Sequence, residues 1–164
     1  MITLEQTEKI LNSGSFMNKY VYFFIAITIF ILDRITKLAA LAYAQSPYVI
    51  NRYLTFELTF NRGISWGMFH DSTHIIMIIV SGIIAMITLF LCWHAYELYN
   101  KKHSIIGHVC VITGSISNLI DRAVYDGVID FILLSYHHYS WPVFNIADVA
   151  IVCGVGFLVL WDES

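Results

Sequence analysis

Four long apolar stretches decide what this chain can fold into. They run over about residues 20–40, 74–93, 104–120 and 144–161. A bilayer core roughly 30 Å thick needs about 20 apolar residues of helix to cross it, and each stretch is close to that length. The composition agrees, because 58% of the residues are hydrophobic and only 13% are charged. We therefore predict a single all-α integral membrane domain, residues 1–164, with four transmembrane helices.

The position of the lysines predicts how these helices are oriented. Four spans place both termini on one side of the membrane, and the N-terminal segment 1–19 contains two lysines. The short connection between the second and third spans adds Lys101 and Lys102 on the same side. Because basic residues are enriched in cytoplasmic loops, we expect both termini to be cytoplasmic. The long connections 45–73 and 121–143 then face the other side, although their arginines weaken the charge argument.

Charge and cysteine content exclude several kinds of partner. The net charge is -3, with 9 basic and 12 acidic residues, so the chain has no basic footprint for nucleic acid. The three cysteines, Cys92, Cys110 and Cys153, lie in the predicted spans and show neither a CxxC motif nor a Cys/His ligand spacing. We therefore expect packing roles for them, and neither a metal site nor a cofactor.

An alternating segment in the first long connection predicts a β-strand. The sequence YLTFELTF, residues 53–60, has leucine or phenylalanine at every second position. A period of two is typical of a half-buried strand, with Leu54, Phe56, Leu58 and Phe60 on one face. We expect this strand to belong to a small sheet on the outer membrane surface, a platform that can bind an extended peptide at its edge.

Two aspartates are predicted to meet near one face of the membrane. Asp130 lies in the second long connection, in the apolar sequence GVIDFILL, which indicates that this loop folds back against the membrane. Asp148 lies only about 6 Å along the fourth span from its start. An ionised acid at such a depth is unfavourable, so acids there tend to face a cavity, pair with a partner or serve function.

Several interpretations of these acids stay open from the residues alone. Two close carboxylates share one proton, as in aspartic proteases, where one takes a proton from water and the other donates one to the peptide carbonyl. Asp148 taken singly also fits a helix-start carboxylate that the helix dipole stabilises. A small proton-coupled transporter is a third interpretation, although it favours acids near the bilayer midplane.

Five motifs carry a resemblance to a known family. They are DRITK (33–37), NRGISWGMF (61–69), NLIDR (118–122), VIDF (128–131) and FNIAD (144–148). In order and spacing they resemble the motifs of the bacterial lipoprotein signal peptidases, or signal peptidase II, from the first span to the last. Thr113 and Ser117 depart from the pattern, because the family more often has glycine in this part of the third span.

The resemblance implies an aspartic endopeptidase of the bacterial inner membrane, with its active site on the periplasmic side and no cofactor. The catalytic aspartates correspond to Asp130 and Asp148. The substrates are prolipoproteins whose lipobox cysteine already carries diacylglyceryl, and the enzyme removes the signal peptide by cutting just before that cysteine. Membrane lipid is a further implied partner, nucleic acid is not, and we expect the protein to act as a monomer.

The remaining motif residues form two groups. Substrate binding is predicted for Asn61, Gly63, Asn118, Arg122 and Asn145, and the amides of Asn118 and Asn145 are equally suited to orient the carboxylates. Structural support is predicted for Asp33, Lys37 and Asp121. For Asp33 and Lys37 the simplest interpretation is an i,i+4 ion pair whose lysine reaches the membrane interface. Asp121 and Arg122 also suit a charged pair that ends the third span.

Overall fold

Four helices and a small sheet make up the part of the chain that the structure describes. This computed structural model describes residues 17–44, 46–62 and 73–161. The helices are α1 (Lys19–Tyr43), α2 (Thr73–Asn100), α3 (Ile106–Tyr125) and α4 (Ile146–Trp161). The strands are β1 (Tyr48–Asn51), β2 (Leu54–Asn61), β3 (Val128–Tyr136) and β4 (Tyr139–Ser140). Each helix contains most of one predicted apolar stretch, whereas Gly63 and most of the N-terminal segment 1–19 lie outside the described residues.

α3 ends later than its apolar stretch. It continues past residue 120 to Tyr125, so Asp121 and Arg122 lie inside the helix and do not end it. The Asp121 carboxylate is tolerated there because basic groups of α1 neutralise it, as described below. Asp126 ends the helix in the left-handed conformation, with φ of 55°, and the chain then enters β3.

The helices bury polar side chains and expose apolar ones. On α1, Asp33 and Lys37 are 0% and 1% exposed, whereas Phe23, Phe24 and Leu38 are 61%, 63% and 59% exposed. The buried side chains of α3 are also mostly small or polar, among them His108, Thr113, Ser117 and Asn118. A protein folded in water shows the opposite distribution. This distribution suits a bundle whose outer surface contacts lipid.

One helix in the described part of the chain is long and apolar enough, by composition, to cross a membrane: Ile75–Asn100 within α2. α1 falls short of that measure because it contains Asp33, Arg34 and Lys37, and α3 falls short because of its polar residues. α4 is apolar but has only 16 residues. The prediction of four helices is therefore confirmed, and composition alone identifies one of them as a span.

α3 and α4 approach most closely at glycines. A Cβ atom on Gly154 would lie 2.8 Å from the Gly107 carbonyl oxygen and 2.9 Å from Cys110 Cβ. A Cβ atom on Gly114 would lie 2.5 Å from the carbonyl oxygen of Ala147, in the first turn of α4. Such separations are too short for carbon, so only glycine permits this contact. The helix contact thereby fixes how deeply the start of α4 sits against α3.

The four strands form one antiparallel sheet in the order β1-β2-β3-β4. Its apolar face packs on the end of α1, where Phe131 of β3 forms a small core with Ala40 and Ala44. Phe56 and Leu58 of β2 pack against that core. The predicted sheet is thus present, and it is larger than expected, because the 9-residue β3 occupies what was predicted as a loop.

The strand prediction is right about β2 and wrong about one side chain, Phe60. The register between β2 and β3 shifts by one residue between Phe56 and Thr59, which marks a β-bulge. Phe60 consequently does not join Phe56 and Leu58 in the apolar core. It is 42% exposed and packs against Tyr125, with ring centroids 6.4 Å apart. Alternation in sequence cannot reveal a bulge, because the extra residue leaves the pattern of residue types unchanged.

The sheet and α1 border a partly open apolar cavity of about 490 Å³. It is lined by Thr36, Ala39, Ala40, Tyr43, Ala44, Tyr48, Phe56 and Phe131. Phe131 directly follows Asp130 on β3, so apolar space adjoins the strand that bears one of the predicted catalytic acids.

The close contact of α3 and α4 predicts opposite effects for two neighbouring glycines. We expect Gly154→Ala to destabilise the protein by about 1–3 kcal/mol, because its methyl group overlaps the Gly107 backbone. Gly156→Ala should leave stability unchanged or slightly higher, because nothing lies within 4 Å of its Cβ position. Thermal unfolding in detergent measures both variants, and equal midpoints would show that the helices do not pack as closely as described.

Candidate active site

The segment before α4 brings Asp130 and Asp148 to one buried place. Phe144 forms a β-bridge with Ile132: its N–H donates to the Ile132 carbonyl at 3.1 Å, and its carbonyl accepts from the Ile132 N–H at 2.9 Å. The bridge holds Asn145 beside β3, where its amide nitrogen lies 2.6 Å from Asp130 Oδ1. β3 and the start of α4 are thereby joined at the predicted pair.

Asn145 also holds Asp148. Its side-chain Oδ1 accepts from the Asp148 N–H at 2.9 Å, and its own backbone N–H donates to Asp148 Oδ2 at 3.2 Å. This reciprocal arrangement is a capping box that starts α4. The interpretation of Asp148 as a helix-start acid therefore describes its geometry. It is compatible with pairing to Asp130, because Asn145 contacts both carboxylates.

Asn118 of α3 supplies a second donor to Asp148. Its Nδ2 lies 2.8 Å from Asp148 Oδ1. Its Oδ1 accepts from Asn145 Nδ2 at 3.2 Å and from Lys37 Nζ at 2.8 Å. The amides of Asn118 and Asn145 are thus both engaged with the aspartates, which favours an orienting role for them over direct substrate binding.

Asn61 reaches the site from the end of β2. Its backbone pairs with Val128, and its side chain forms a hydrogen bond with Asp130. Asp130 therefore receives amide groups from two different elements. Gly63, also predicted to bind substrate, lies outside the described residues.

The environment of Asp130 favours its protonated form. Burial raises the pKa of Asp130 to about 7, and the negative charge of Asp148 adds to the rise. Hydrogen bonds from Asn61 and Asn145 and the positive charge of Lys37 act in the opposite direction. Asp130 is only 1% exposed, so water does little to screen these effects. A carboxyl group with a pKa near neutrality is suited to general acid catalysis.

Arg122 is half-buried and faces the same acids. Its guanidinium group acts electrostatically on Asp148, Asp130 and Asp121. Its buried Nε has no hydrogen-bond partner among the described residues. A cation with an unused donor beside two carboxylates is suited to bind an incoming carbonyl oxygen.

Beneath the pair lies a buried network of four charges, which we call the charge cluster: Asp33, Arg34, Lys37 and Asp121. Lys37 Nζ lies 2.8 Å from Asp33 and 2.7 Å from Asp121. Arg34 lies 3.1 Å from Asp33 and 2.7 Å from Asp121. Two positive and two negative groups balance. Removing one partner of a buried ion pair typically costs about 3–5 kcal/mol, because the other is left uncompensated.

Backbone groups connect the charge cluster to the predicted catalytic pair. Asp33 Oδ1 accepts from the N–H of Ala147, at 2.9 Å, in the first turn of α4. Asp121 Oδ2 accepts from the N–H of Ile129, at 3.3 Å, in β3. Each acid of the cluster thus holds the backbone residue directly before one of the predicted catalytic aspartates. These contacts are consistent with the structural support predicted for Asp33, Lys37 and Asp121.

The predicted i,i+4 pair of Asp33 and Lys37 is present, but the lysine does not reach the membrane interface. Lys37 is 1% exposed and points inward, because Asp33, Asp121 and Asn118 provide acceptors there. A lysine bound to three buried oxygens has no reason to extend outward. Its hydrogen bond with Asn118 links it to Asp148, one of the two predicted catalytic acids, and spacing along α1 does not reveal this link.

Arg34 and Ser117 belong to this site and were missed from sequence. Ser117 Oγ donates to Asp33 Oδ2 at 2.6 Å, and it is 0% exposed. Arg34 was overlooked because it follows Asp33 directly, and neighbouring helical residues point in different directions. Charge balance was the available signal, because two buried acids and one lysine leave one negative charge without a partner.

The acids of the site are arranged for hydrogen bonding within the protein. Each carboxylate accepts hydrogen bonds from N–H or ammonium groups of at least two neighbouring residues. The four carboxylates are those of Asp33, Asp121, Asp130 and Asp148. Across residues 17–44, 46–62 and 73–161, no three histidine, cysteine or acidic side chains are grouped so as to hold a metal ion.

Comparison with known proteins gives a consistent set of similarities. The family model described as signal peptidase (SPase) II matches residues 25–162. The lipoprotein signal peptidase of Dichelobacter nodosus is 33% identical over 143 residues, 85% of this chain and 91% of the relative. That of Aquifex aeolicus is 33% identical over 145 residues, 86% and 84% of the two chains. That of Clostridium tetani is 36% identical over 135 residues, 80% and 85%.

Two solved structures share the fold. Both are bacterial membrane enzymes determined by the in meso method, at 2.3 and 1.9 Å resolution. Each is 22% identical to this chain, with TM-scores of 0.68 and 0.69. The first match covers 90% of both chains, and the second covers 92% of this chain and 98% of the solved one. The arrangement of four helices and a small sheet is therefore a fold that this chain shares with both proteins.

The raised pKa of Asp130 predicts how stability depends on pH. An acid whose pKa is higher in the folded state stabilises the fold below its unfolded value of 3.8 and loses that contribution as pH rises to about 7. Asp130→Asn mimics the protonated form, so we expect it to raise the unfolding midpoint more at pH 8 than at pH 5. Asp126→Asn, on an exposed acid, is the control. A midpoint difference that is the same at both pH values would contradict this assignment.

Proposed function

We propose an aspartic mechanism for this chain, which belongs to the signal peptidase II family: Asp130 and Asp148 together hydrolyse the bond that joins a signal peptide to a prolipoprotein. Family membership makes the chain a protease that processes lipoproteins, and it gives no support to the proton-coupled transporter. The catalytic type is our inference. The observation that carries it is Asn145, which joins both carboxylates in one hydrogen-bonded unit.

The two acids have different surroundings, and we assign their roles accordingly. Asp148 accepts an N–H group on each oxygen, from Asn118 and from the Asn145 backbone, which favours the ionised form. Asp130 is the more strongly buried of the two, with a pKa near 7, which favours the protonated form. In the resting pair the shared proton is therefore on Asp130.

Hydrolysis then proceeds without a covalent intermediate. Asp148 takes a proton from water as the water oxygen bonds to the scissile carbonyl carbon, and Asp130 gives its proton to the carbonyl oxygen. The resulting gem-diol collapses when the carbon–nitrogen bond breaks. Asp148 returns its proton to the departing nitrogen, and Asp130 takes one from the diol hydroxyl. Both acids end in their starting protonation states.

Substrate binding is assigned to groups at the open side of the pair. Arg122 has a donor without a partner among the described residues and lies close enough to act on Asp130 and Asp148, so we place a peptide carbonyl of the substrate against it. Asn61 lies at the end of β2, where an extended peptide entering beside the sheet meets Asp130. The diacylglyceryl group of the substrate stays in the surrounding lipid and apolar space, and the protein acts as a monomer.

All four helices are proposed to span the bacterial inner membrane. The support is their outward apolar surface and the fold shared with membrane enzymes. The site lies at the α3 end that leads into β3, opposite the turn with Lys101 and Lys102. With those lysines in the cytoplasm, both termini are cytoplasmic and the catalytic pair faces the periplasm.

Loss of either acid should abolish cleavage of a diacylglyceryl-modified lipobox peptide. We expect Asp130→Asn and Asp148→Asn each to lower kcat by about 10³-fold or more, since each variant removes one of the two groups that exchange protons with water and substrate. Arg122→Gln should mainly raise KM. The purified protein in detergent is assayed beside Asp126→Asn as the matched control, and beside the same peptide without lipid. Turnover retained by either catalytic variant, with the fold intact, would rule out the aspartic mechanism.

Single cysteines test the topology. In a background with Cys92, Cys110 and Cys153 replaced by alanine, which should stay active, we expect Asp126→Cys to react with a membrane-impermeant thiol reagent added to spheroplasts. Lys102→Cys should react only after the cells are opened. The reverse pattern of labelling would place the catalytic pair on the cytoplasmic side.

A further inference from the structure

We propose that Lys37 is a positioning residue for the catalytic pair: its ammonium group fixes which end of the Asn118 amide faces Asp148. This inference rests on the aspartic mechanism proposed above. The ion pairs of Lys37 account for a structural role, and the proposal adds a role in the reaction.

The contacts of Lys37 leave its ammonium group no alternative partner. It has three N–H groups, and three acceptors lie within hydrogen-bond distance: Asp33 at 2.8 Å, Asp121 at 2.7 Å and Asn118 Oδ1 at 2.8 Å. The side chain is 1% exposed, so water does not compete for these donors. Two of the bonds neutralise charge, and the third reaches a residue that touches a catalytic acid.

Because an ammonium group only donates, it selects one orientation of the Asn118 amide. The oxygen must face Lys37, and the amino group must then face Asp148 Oδ1, which lies 2.8 Å away. Asn145 Nδ2 donates to the same Asn118 oxygen at 3.2 Å and supports this choice. A flipped amide would set donor against donor at Lys37 and acceptor against acceptor at Asp148. Lys37 therefore controls a donor to Asp148 without touching it.

The charge of Lys37 also acts on the second acid. It lowers the pKa of Asp130, against the larger effects of burial and of Asp148. β2 contributes the uncharged amide of Asn61 to the surroundings of Asp130. The charged groups on the helices around Asp130 are Asp33, Arg34 and Lys37 on α1, Asp121 and Arg122 on α3, and Asp148 on α4. Removing Lys37 takes one positive charge from this set and should raise the pKa of Asp130.

Arg34 provides a matched control. It neutralises Asp33 and Asp121, as Lys37 does, at 3.1 and 2.7 Å. Its remaining contact is with the backbone carbonyl of Ser117, at 3.3 Å, and not with the Asn118 side chain. Arg34→Met thus removes an equal charge from the charge cluster without releasing the amide. A purely structural role for Lys37 predicts that the two variants behave alike.

The test compares kcat and KM as functions of pH, with the lipidated lipobox peptide, for folded wild type, Lys37→Met, Arg34→Met and Asn118→Ala. We expect Lys37→Met to lower kcat by about tenfold or more with KM little changed, as for one lost hydrogen bond to an ionised reacting group. The alkaline fall in rate, which reports loss of the Asp130 proton, should move to higher pH. Arg34→Met should lower the unfolding midpoint, and its alkaline limb should move less than that of Lys37→Met, because Lys37 is the basic group of the charge cluster that lowers the pKa of Asp130.

A double variant separates action through Asn118 from a general loss of stability. Lys37→Met combined with Asn118→Ala should have the kcat of Asn118→Ala alone, because the released amide is already absent. Should Lys37→Met fail to fold, the charge-balanced Lys37→Met/Asp121→Asn is measured against Asp121→Asn and is expected to show the same loss of kcat and the same shift.

Two results would overturn the inference: an unchanged pH profile and kcat in Lys37→Met, or an equal shift in Arg34→Met. Either leaves the aspartic mechanism standing, provided that Asp130→Asn and Asp148→Asn remain inactive. Activity in those two variants would instead remove the mechanism itself, whatever Lys37 does.

Discussion

The neutralisation of four buried charges is the interaction on which the rest of this structure depends. Asp33 and Asp121 lie on different helices, and each is held by both Arg34 and Lys37. In the interior of a protein an unpaired charge is so unfavourable that α1 and α3 have essentially one mutual position at which all four are satisfied. Backbone bonds from the two acids then carry that position to α4 and β3. The site is assembled around ion pairs, and apolar packing only supports it.

The sequence predicted the helices and the proximity of Asp130 and Asp148 for simple reasons. Long apolar stretches mark helices whatever their neighbours are, and an acid among apolar residues is conspicuous. The roles of Asn118 and Asn145 were predicted as alternatives, because an amide side chain can bind a carboxylate or a peptide equally well. Their contacts with Asp148 and Asp130 favour the first. The motifs that identified the family carry these residues, so the resemblance and the physical reading converged on the same side chains.

The sequence could not predict side-chain orientations and contacts that depend on another helix or strand. The inward orientation of Lys37 depends on acceptors from another helix, and sequence spacing along α1 says nothing of them. The reach of Arg34 to Asp121 crosses between helices for the same reason. The sequence predicts a loop at β3 because a strand whose first residues are fully buried lacks the alternation that identifies β2. The bulge in β2 is a shift in its register with β3, so the sequence of β2 alone does not reveal it.

Because of the capping box at the start of α4, the two acids are joined only after the last helix of the chain has begun to form. Asn145 begins the last helix and is also the group that joins the two acids. A nascent chain that has formed its first three helices and β3 already possesses Asp130, the charge cluster and Asn118, but the two acids are not joined until the final helix forms its first turn. Under the proposed mechanism, proteolytic capacity therefore arises only when the last helix has been made. A chain that lacks α4 lacks the pair.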